Sequence, residues 1–340
     1  MTKRSGTTAD PPAEPVGGAT RATRPVPAPG AALLAVLALI WLATMLWSAR
    51  TAIFSNAGTL SITMSAYALP ALVGPSLVAG VAASLLTANL LARRGIGRPT
   101  PRFAAAIGVG LVTGVLAALV VKLTYGGGAA VTILAGTIAA AVIIGSALGV
   151  LRPSVVGAAL LASLAVSAVT FTLAYFKTDL TTLYGSGDTI ESQAGALRWF
   201  SWTASLASGL VAGLLAFGYL RRTGRRAELV DPDRPPLRWP AYLAAGAGAG
   251  LLLLVAEVLI RTAGSRVLAL AGSISAADRD AQGLLGGSRV NHALVVLFVG
   301  ALTALIAFGR TLGPAAEDAG PDDEAIEPGK PAESSEPVTR

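Results

Sequence analysis

Apolar residues in this chain alternate with polar ones at the spacing of neither an amphipathic helix nor a half-buried strand; they run in long uninterrupted blocks. The first is Ala31 to Trp47. Others follow at about 68–92, 103–122, 129–151, 154–176, 199–220, 239–260 and 290–309. Several reach the ~18–20 residues that a helix needs to cross a hydrocarbon core of ~30 Å. No water is available there, so an open strand edge would leave peptide groups unpaired and each block is predicted to be helical. A transmembrane barrel would need alternation, which is absent. The expected fold is an all-α integral membrane protein with about eight transmembrane helices.

Composition agrees. The 340 residues are 53% hydrophobic and 13% charged, about half the ~25% charged residues of a soluble domain. Cysteine is absent and His292 is the single histidine. That excludes disulfides, thiol chemistry and cysteine- or histidine-rich metal sites, and no cofactor is expected. The net charge of +7 does not indicate nucleic acid. The basic residues stand at the ends of apolar blocks, where they orient helices, so the expected partner is the lipid bilayer.

Charge placement predicts the orientation. After spans two, four and six come Arg93, Arg94, Arg98 and Arg102; then Arg152; then Arg221, Arg222, Arg225, Arg226, Arg234 and Arg238. The opposite segments carry Arg50, Lys122, Lys177 and Arg198, then Arg261, Arg266, Arg279 and Arg289. The positive-inside rule then puts both termini in the cytoplasm, with 261–289 the segment that fits least well. Span one is read as retained, because Ser48-Ala49-Arg50 is no signal-peptide cleavage site. An Ala-, Gly- and Arg-heavy, lysine-poor composition points to a bacterial plasma membrane.

Four regions are expected: a disordered cytoplasmic tail (1–30), two four-helix units (31–152 and 153–310) and a disordered acidic cytoplasmic tail (311–340). The last holds Glu317, Asp318, Asp322, Asp323, Glu324, Glu327, Glu333 and Glu336. It reads as a solvated terminus, with docking of a basic protein partner as the functional alternative; external loops are the other candidate surface for protein partners.

The two units resemble each other. Arg98-Pro99-Thr100-Pro101-Arg102-Phe103 leads into span three, and Arg234-Pro235-Pro236-Leu237-Arg238-Trp239 into span seven. Each leader is followed at the same offset by Gly-x-x-x-Gly, Gly110/Gly114 and Gly246/Gly250. Ile53 to Leu60 matches Ile190 to Leu197 as Ile-x-Ser-(Asn/Gln)-Ala-Gly-x-Leu, and Leu77 to Gly80 echoes Leu210 to Gly213. Such recurrence marks an internal repeat. An even number of spans per unit predicts two parallel repeats (4+4) about a pseudo-two-fold axis along the membrane normal. The paired glycines are predicted helix-packing sites, with spans three and seven crossing through them.

Candidate chemistry is sparse. Glu257 is the single acid inside an apolar block, and Lys122 ends span three at nearly the equivalent place. Together they form a candidate ion pair or gate, against the plainer reading that both reach water. Pro70 and Gly74-Pro75 interrupt span two and predict a kink near Pro75. Asp179, Asp188 and Glu191 fit no calcium loop, and Trp199, Phe200 and Trp202 look like an interfacial belt. Val267, Leu268, Leu270 and Ile274 fit either a short amphipathic surface helix or a loop. Tyr125-Gly126-Gly127-Gly128 reads as an external turn, and catalytic signatures are missing. The expected function is therefore a transporter, or the membrane subunit of an export system, for an apolar or lipid-like substrate. A non-catalytic envelope scaffold is the alternative and an intramembrane enzyme the least favoured. A transporter should enclose a cavity with polar positions at mid-depth, expected between spans three and seven; a scaffold should be filled.

Overall fold

Eight helices among the described residues are long and apolar enough to cross a membrane. In the computed structural model they are α1 (Ala31–Phe54), α2 (Thr59–Arg93), α3 (Pro99–Thr124), α4 (Ala129–Leu148), α5 (Pro153–Tyr175), α7 (Ile190–Val230), α8 (Trp239–Thr262) and α10 (Ala276–Gly309). Two shorter helices, α6 (Lys177–Leu183) and α9 (Ser265–Ile274), lie between them. The structure describes residues 28, 30–54, 59–95, 99–230, 232, 235 and 237–311. The two tails and parts of both Arg-Pro leaders lie outside these residues. The chain thus has the architecture of a polytopic helical membrane protein.

Its surface is inverted relative to a water-soluble fold. Leu111, Val112, Val115, Leu116, Leu119 and Val120 of α3 are all about half exposed or more, as are Leu33, Val36, Leu39 and Ile40 of α1 and Phe298, Leu302 and Ile306 of α10. An apolar belt of that extent is unfavourable in water and natural in lipid.

Helix boundaries follow local chemistry. Pro153 opens α5, where the missing N–H costs nothing. Ser275 caps α10 by accepting from the Asp278 N–H at 3.2 Å. The turn between α3 and α4 runs through Gly126 and Gly128, with φ of 87° and 140°, a region that excludes most side chains. It is a turn, as the glycine run predicts.

Four helices run beyond their apolar blocks. α1 extends to Phe54, α2 begins at Thr59, α7 spans 41 residues and α10 begins at Ala276. The added segment Ala276 to Arg289 holds good helix formers (three Ala, two Leu, two Arg) beside three Gly, so its helix owes as much to the Ser275 cap and to packing as to propensity. α9 is a helix and not a loop. It does more than lie on the surface: Val267 and Ala271, one turn apart, are buried with Ala66 of α2.

Each half packs through a knot of small residues. In the first, Gly80 of α2 meets the Val142 carbonyl of α4, Gly145 of α4 meets the Leu77 carbonyl, and Gly110 of α3 faces Ser146. Ser146 Oγ donates to the Gly80 carbonyl at 3.1 Å. In the second, Gly213 of α7 and Gly246 of α8 both meet the Gly300 carbonyl of α10. Small residues let backbones approach closely, the main source of helix packing in lipid. The crossing of spans three and seven expected at these glycines does not occur there. Gly110 and Gly114 face Ser146, Ala139 and Ile143 of α4, while Gly246 and Gly250 face Gly300, Ala304 and Leu297 of α10. Gly-x-x-x-Gly specifies a smooth face, not the helix that will cover it.

The halves meet unevenly. α2 packs on α8 and α5 across the junction, and α3 lies at the edge. In the apolar stretch of α8, 56% of residues are buried within the protein, against 22% in α3. A central α8 and a peripheral α3 thus lie in unlike surroundings.

Candidate functional site: an intramembrane cavity beneath an arginine–glutamate cluster

At the junction of the halves, α1, α2, α5, α8 and α10 surround a cavity of about 390 Å³. This lies within the ~300–1,000 Å³ of small-molecule sites. Span three takes no part in lining it, so the cavity expected between spans three and seven lies instead among spans one, two, five, seven and eight. Its wall is mostly apolar. Trp41 of α1 meets Phe171 of α5 edge-on at 5.8 Å, and Leu252 and Leu253 contribute from α8.

Pro70, Ala71, Gly74 and Pro75 form the α2 wall. α2 remains helical through both prolines. Pro75 cannot donate to the Ala71 carbonyl one turn earlier, so this stretch of backbone has lost a helical bond beside the cavity.

The polar positions come from α5 and α10. Ser163 and Ser167 of α5 line the cavity and donate to the carbonyls of Ala159 and Ser163, at 2.8 and 3.0 Å. Their oxygen lone pairs remain available as acceptors. His292 of α10 also lines the cavity. Its Nδ1 lies 2.8 Å from Ser205 Oγ of α7. Ser205 Oγ is also 2.7 Å from the Ser201 carbonyl, to which it donates. With its one proton so committed, Ser205 accepts from Nδ1–H, leaving Nε2 as the ring acceptor.

One turn further along α8 stands Glu257, four residues beyond Leu253 and 5% exposed. Arg261 Nε donates to its Oε1 and Arg289 Nε to its Oε2, each at 2.9 Å. Both carboxylate oxygens are therefore engaged, and α8 is tied to α10. The expected partnership with Lys122 is not formed. Lys122 is exposed at the end of α3, and Glu257 turns to arginines one turn along its own helix and on the adjacent α10. Gly286 makes room for the cluster. A Cβ there would stand 3.3 Å from an Arg261 Nη, 3.4 Å from Glu257 Oε1 and 3.6 Å from an Arg289 Nη.

Around the same end, Tyr67 and Thr63 of α2 donate to the Asp278 carboxylate, at 3.2 and 3.5 Å. This brings the start of α2 to the start of α10. Among the described residues no three His, Asp or Glu side chains group as a metal site.

Glu257 was legible as a buried acid, and Arg261 at i+4 as its neighbour. Arg289 was not legible as a partner, because α9 intervenes. His292 carried a usable signal that counting histidines for metal sites passes over: an ionisable ring at the start of an apolar block. No protein-family model, curated protein or solved structure matches this chain.

Proposed function

We propose that this protein takes an apolar or lipid-like substrate into the cavity beside α2 and moves it within or across the plasma membrane. It would act as a transporter or as the membrane subunit of an export system. The observation that carries the reading is the cavity itself: apolar over most of its wall, with His292, Ser163, Ser167 and Thr170 as its polar positions. A purely scaffolding bundle has no need of such a space, and small residues pack the rest of the bundle closely. The scarcity of charge in the wall argues against an ion as cargo and suits a hydrocarbon one.

In this reading the chain is a duplicated four-helix unit. Gly80, Gly110 and Ser146 meet in the first half as Gly213, Gly246 and Gly300 meet in the second, and the sequence echoes fall on Gly80 with Gly213 and on Gly110 with Gly246. The arginine-rich ends would face the cytoplasm, with both termini. The cavity would then open toward the outer leaflet, since α2 is lined from Pro70 to Val78 and α5 from Ser163 to Ala174.

The test is lipid analysis of the protein purified in a mild neutral detergent. The wild type should retain a discrete amphiphile, and Ala71→Phe, which fills the cavity from an exposed lining position, should lose it while folding normally. Equal retention by both proteins would overturn the reading.

A further inference from the structure

We infer that the occupant is an anionic amphiphile, its phosphate or carboxylate head held by Arg261 and Arg289 and its tail in the cavity. The inference rests on the cavity reading above and specifies the chemistry of the head.

Three observations carry it. The first is placement. Glu257 follows the cavity residue Leu253 by four positions on α8, and Arg289 precedes the cavity residue His292 by three on α10. At ~1.5 Å per residue Glu257 and Arg289 stand about 5–6 Å beyond the cavity along their helices, and the Arg261 backbone about 12 Å beyond it, from where its side chain reaches back to Glu257. The second is charge. Two arginines meet one carboxylate, leaving a surplus of one positive charge next to an apolar chamber.

The third is unused donor capacity. Each arginine spends its Nε–H on Glu257. One Nη of each lies beside Gly286, and the Nη groups have no hydrogen bond to the protein among the described residues. The Arg261 and Arg289 side chains are 55% and 29% exposed, whereas Glu257 is sealed at 6%. The carboxylate thus fixes the two guanidinium groups, one Nη of each lying beside the buried Gly286, while the exposed parts of both side chains leave donors open to a ligand. An oxyanion accepting from both would be bound by charge-assisted bonds, the stronger kind. A hydrocarbon chain attached to it would reach the apolar wall.

Glu257 both positions the arginines and competes for them, so its neutralisation separates this inference from a merely structural ion pair. The experiment measures binding of radiolabelled dodecyl phosphate to the full chain in neutral detergent, with dodecanol and inorganic phosphate as competitors. Glu257→Gln should tighten binding and Arg261→Gln should weaken it, each by about tenfold. Inorganic phosphate should not displace the probe at concentrations where unlabelled dodecyl phosphate does.

If dodecanol competes as well as dodecyl phosphate and neither variant changes affinity, the anionic-head assignment falls while the cavity reading stands. If inorganic phosphate competes equally, the cluster is a small-anion site and the amphiphile assignment falls. If no alkyl probe binds, or Ala71→Phe leaves binding intact, the cavity reading falls, and this inference with it. Arg261→Gln is preferred to Arg289→Gln because Arg261 is more than half exposed and its loss leaves Arg289 on Glu257.

Discussion

Ser205 Oγ and His292 Nδ1 stand 2.8 Å apart and join α7 to α10 at the wall of the cavity. Hydrogen bonds between membrane helices contribute on average ~0.6 kcal/mol and at most ~1.7, because helices separated in lipid find other partners. A double-mutant cycle with Ser205→Ala and His292→Phe should therefore give a coupling of about 0.5–1.7 kcal/mol in lipid or bicelles. A coupling near zero would mean that the imidazole is held by its packing alone.

Two glycines of the helix interiors should respond oppositely to the same methyl group. A Cβ on Gly80 would run into the Val142 carbonyl, whereas one on Gly218 meets nothing within 4 Å. Gly80→Ala should destabilise by about 1–3 kcal/mol through overpacking against rigid backbone. Gly218→Ala should be neutral or stabilising by up to ~1 kcal/mol, since alanine is the better helix former. Thermal unfolding in detergent, followed by aggregation onset, distinguishes the two.

Removing a cation should matter at Arg289 and not at Lys122. A buried carboxylate stripped of all partners costs ~3–5 kcal/mol. Arg289→Gln leaves Arg261 in place, so its effect should fall below that range while exceeding ~1 kcal/mol. Lys122→Gln, at an exposed helix end, should stay within about 0.5 kcal/mol of wild type. Equal effects would place Glu257's charge compensation elsewhere than in this cluster.

Tyr125, in the turn after α3, donates to the Leu46 carbonyl of α1. Burial pushes its phenol up to about 12, with Arg50 opposing the shift. A phenol that holds its proton more tightly when folded stabilises fully below its ordinary value of 10, and this is lost as pH rises from about 10 toward 12. Tyr125→Phe should be less stable near neutrality by about 0.5–1.5 kcal/mol, the net value of one hydrogen bond. The wild-type advantage should shrink between pH 10 and 12. A gap that stays constant over this window would rule out the linkage.

The chain has no cysteine, so single-cysteine labelling is free of background. Arg94→Cys and Arg222→Cys should react with an impermeant maleimide only from the cytoplasmic side, and Asp188→Cys only from outside. Reversed labelling would turn the whole bundle over.

The spans were legible because solvation by lipid is a property of some twenty consecutive residues, which the sequence displays directly. The block 103–122 became α3 (Pro99–Thr124) and the block 129–151 became α4 (Ala129–Leu148). Helix ends were not, since hydropathy falls at Arg289 while the helix continues back to Ala276. Partner choice was hidden for a different reason. Gly110 and Gly246 advertise a flat face, but whether α4, α10 or the other glycine helix fills it depends on the rest of the bundle. The prolines of α2 predict only a kink, with the cavity expected between spans three and seven; Pro70 and Pro75 in fact line it. The arginines around Glu257 converge only after α8, α9 and α10 have packed.

α7 has 41 residues and at ~1.5 Å per residue measures about 60 Å, twice the hydrocarbon thickness. It is held along much of that length: buried positions run from Ala196 to Thr223, and near the middle Gly209 and Gly213 meet Val299, Thr303 and Gly300 of α10. A rod held over that length tilts only as a whole: roughly 10° about its middle would swing either tip by about 5 Å. One tip carries Arg221, Arg222, Arg225 and Arg226 and the other begins at Ile190. Ser205, which bonds His292, lies four residues from Gly209 on this helix, so the cavity wall and both ends of α7 belong to one continuous element.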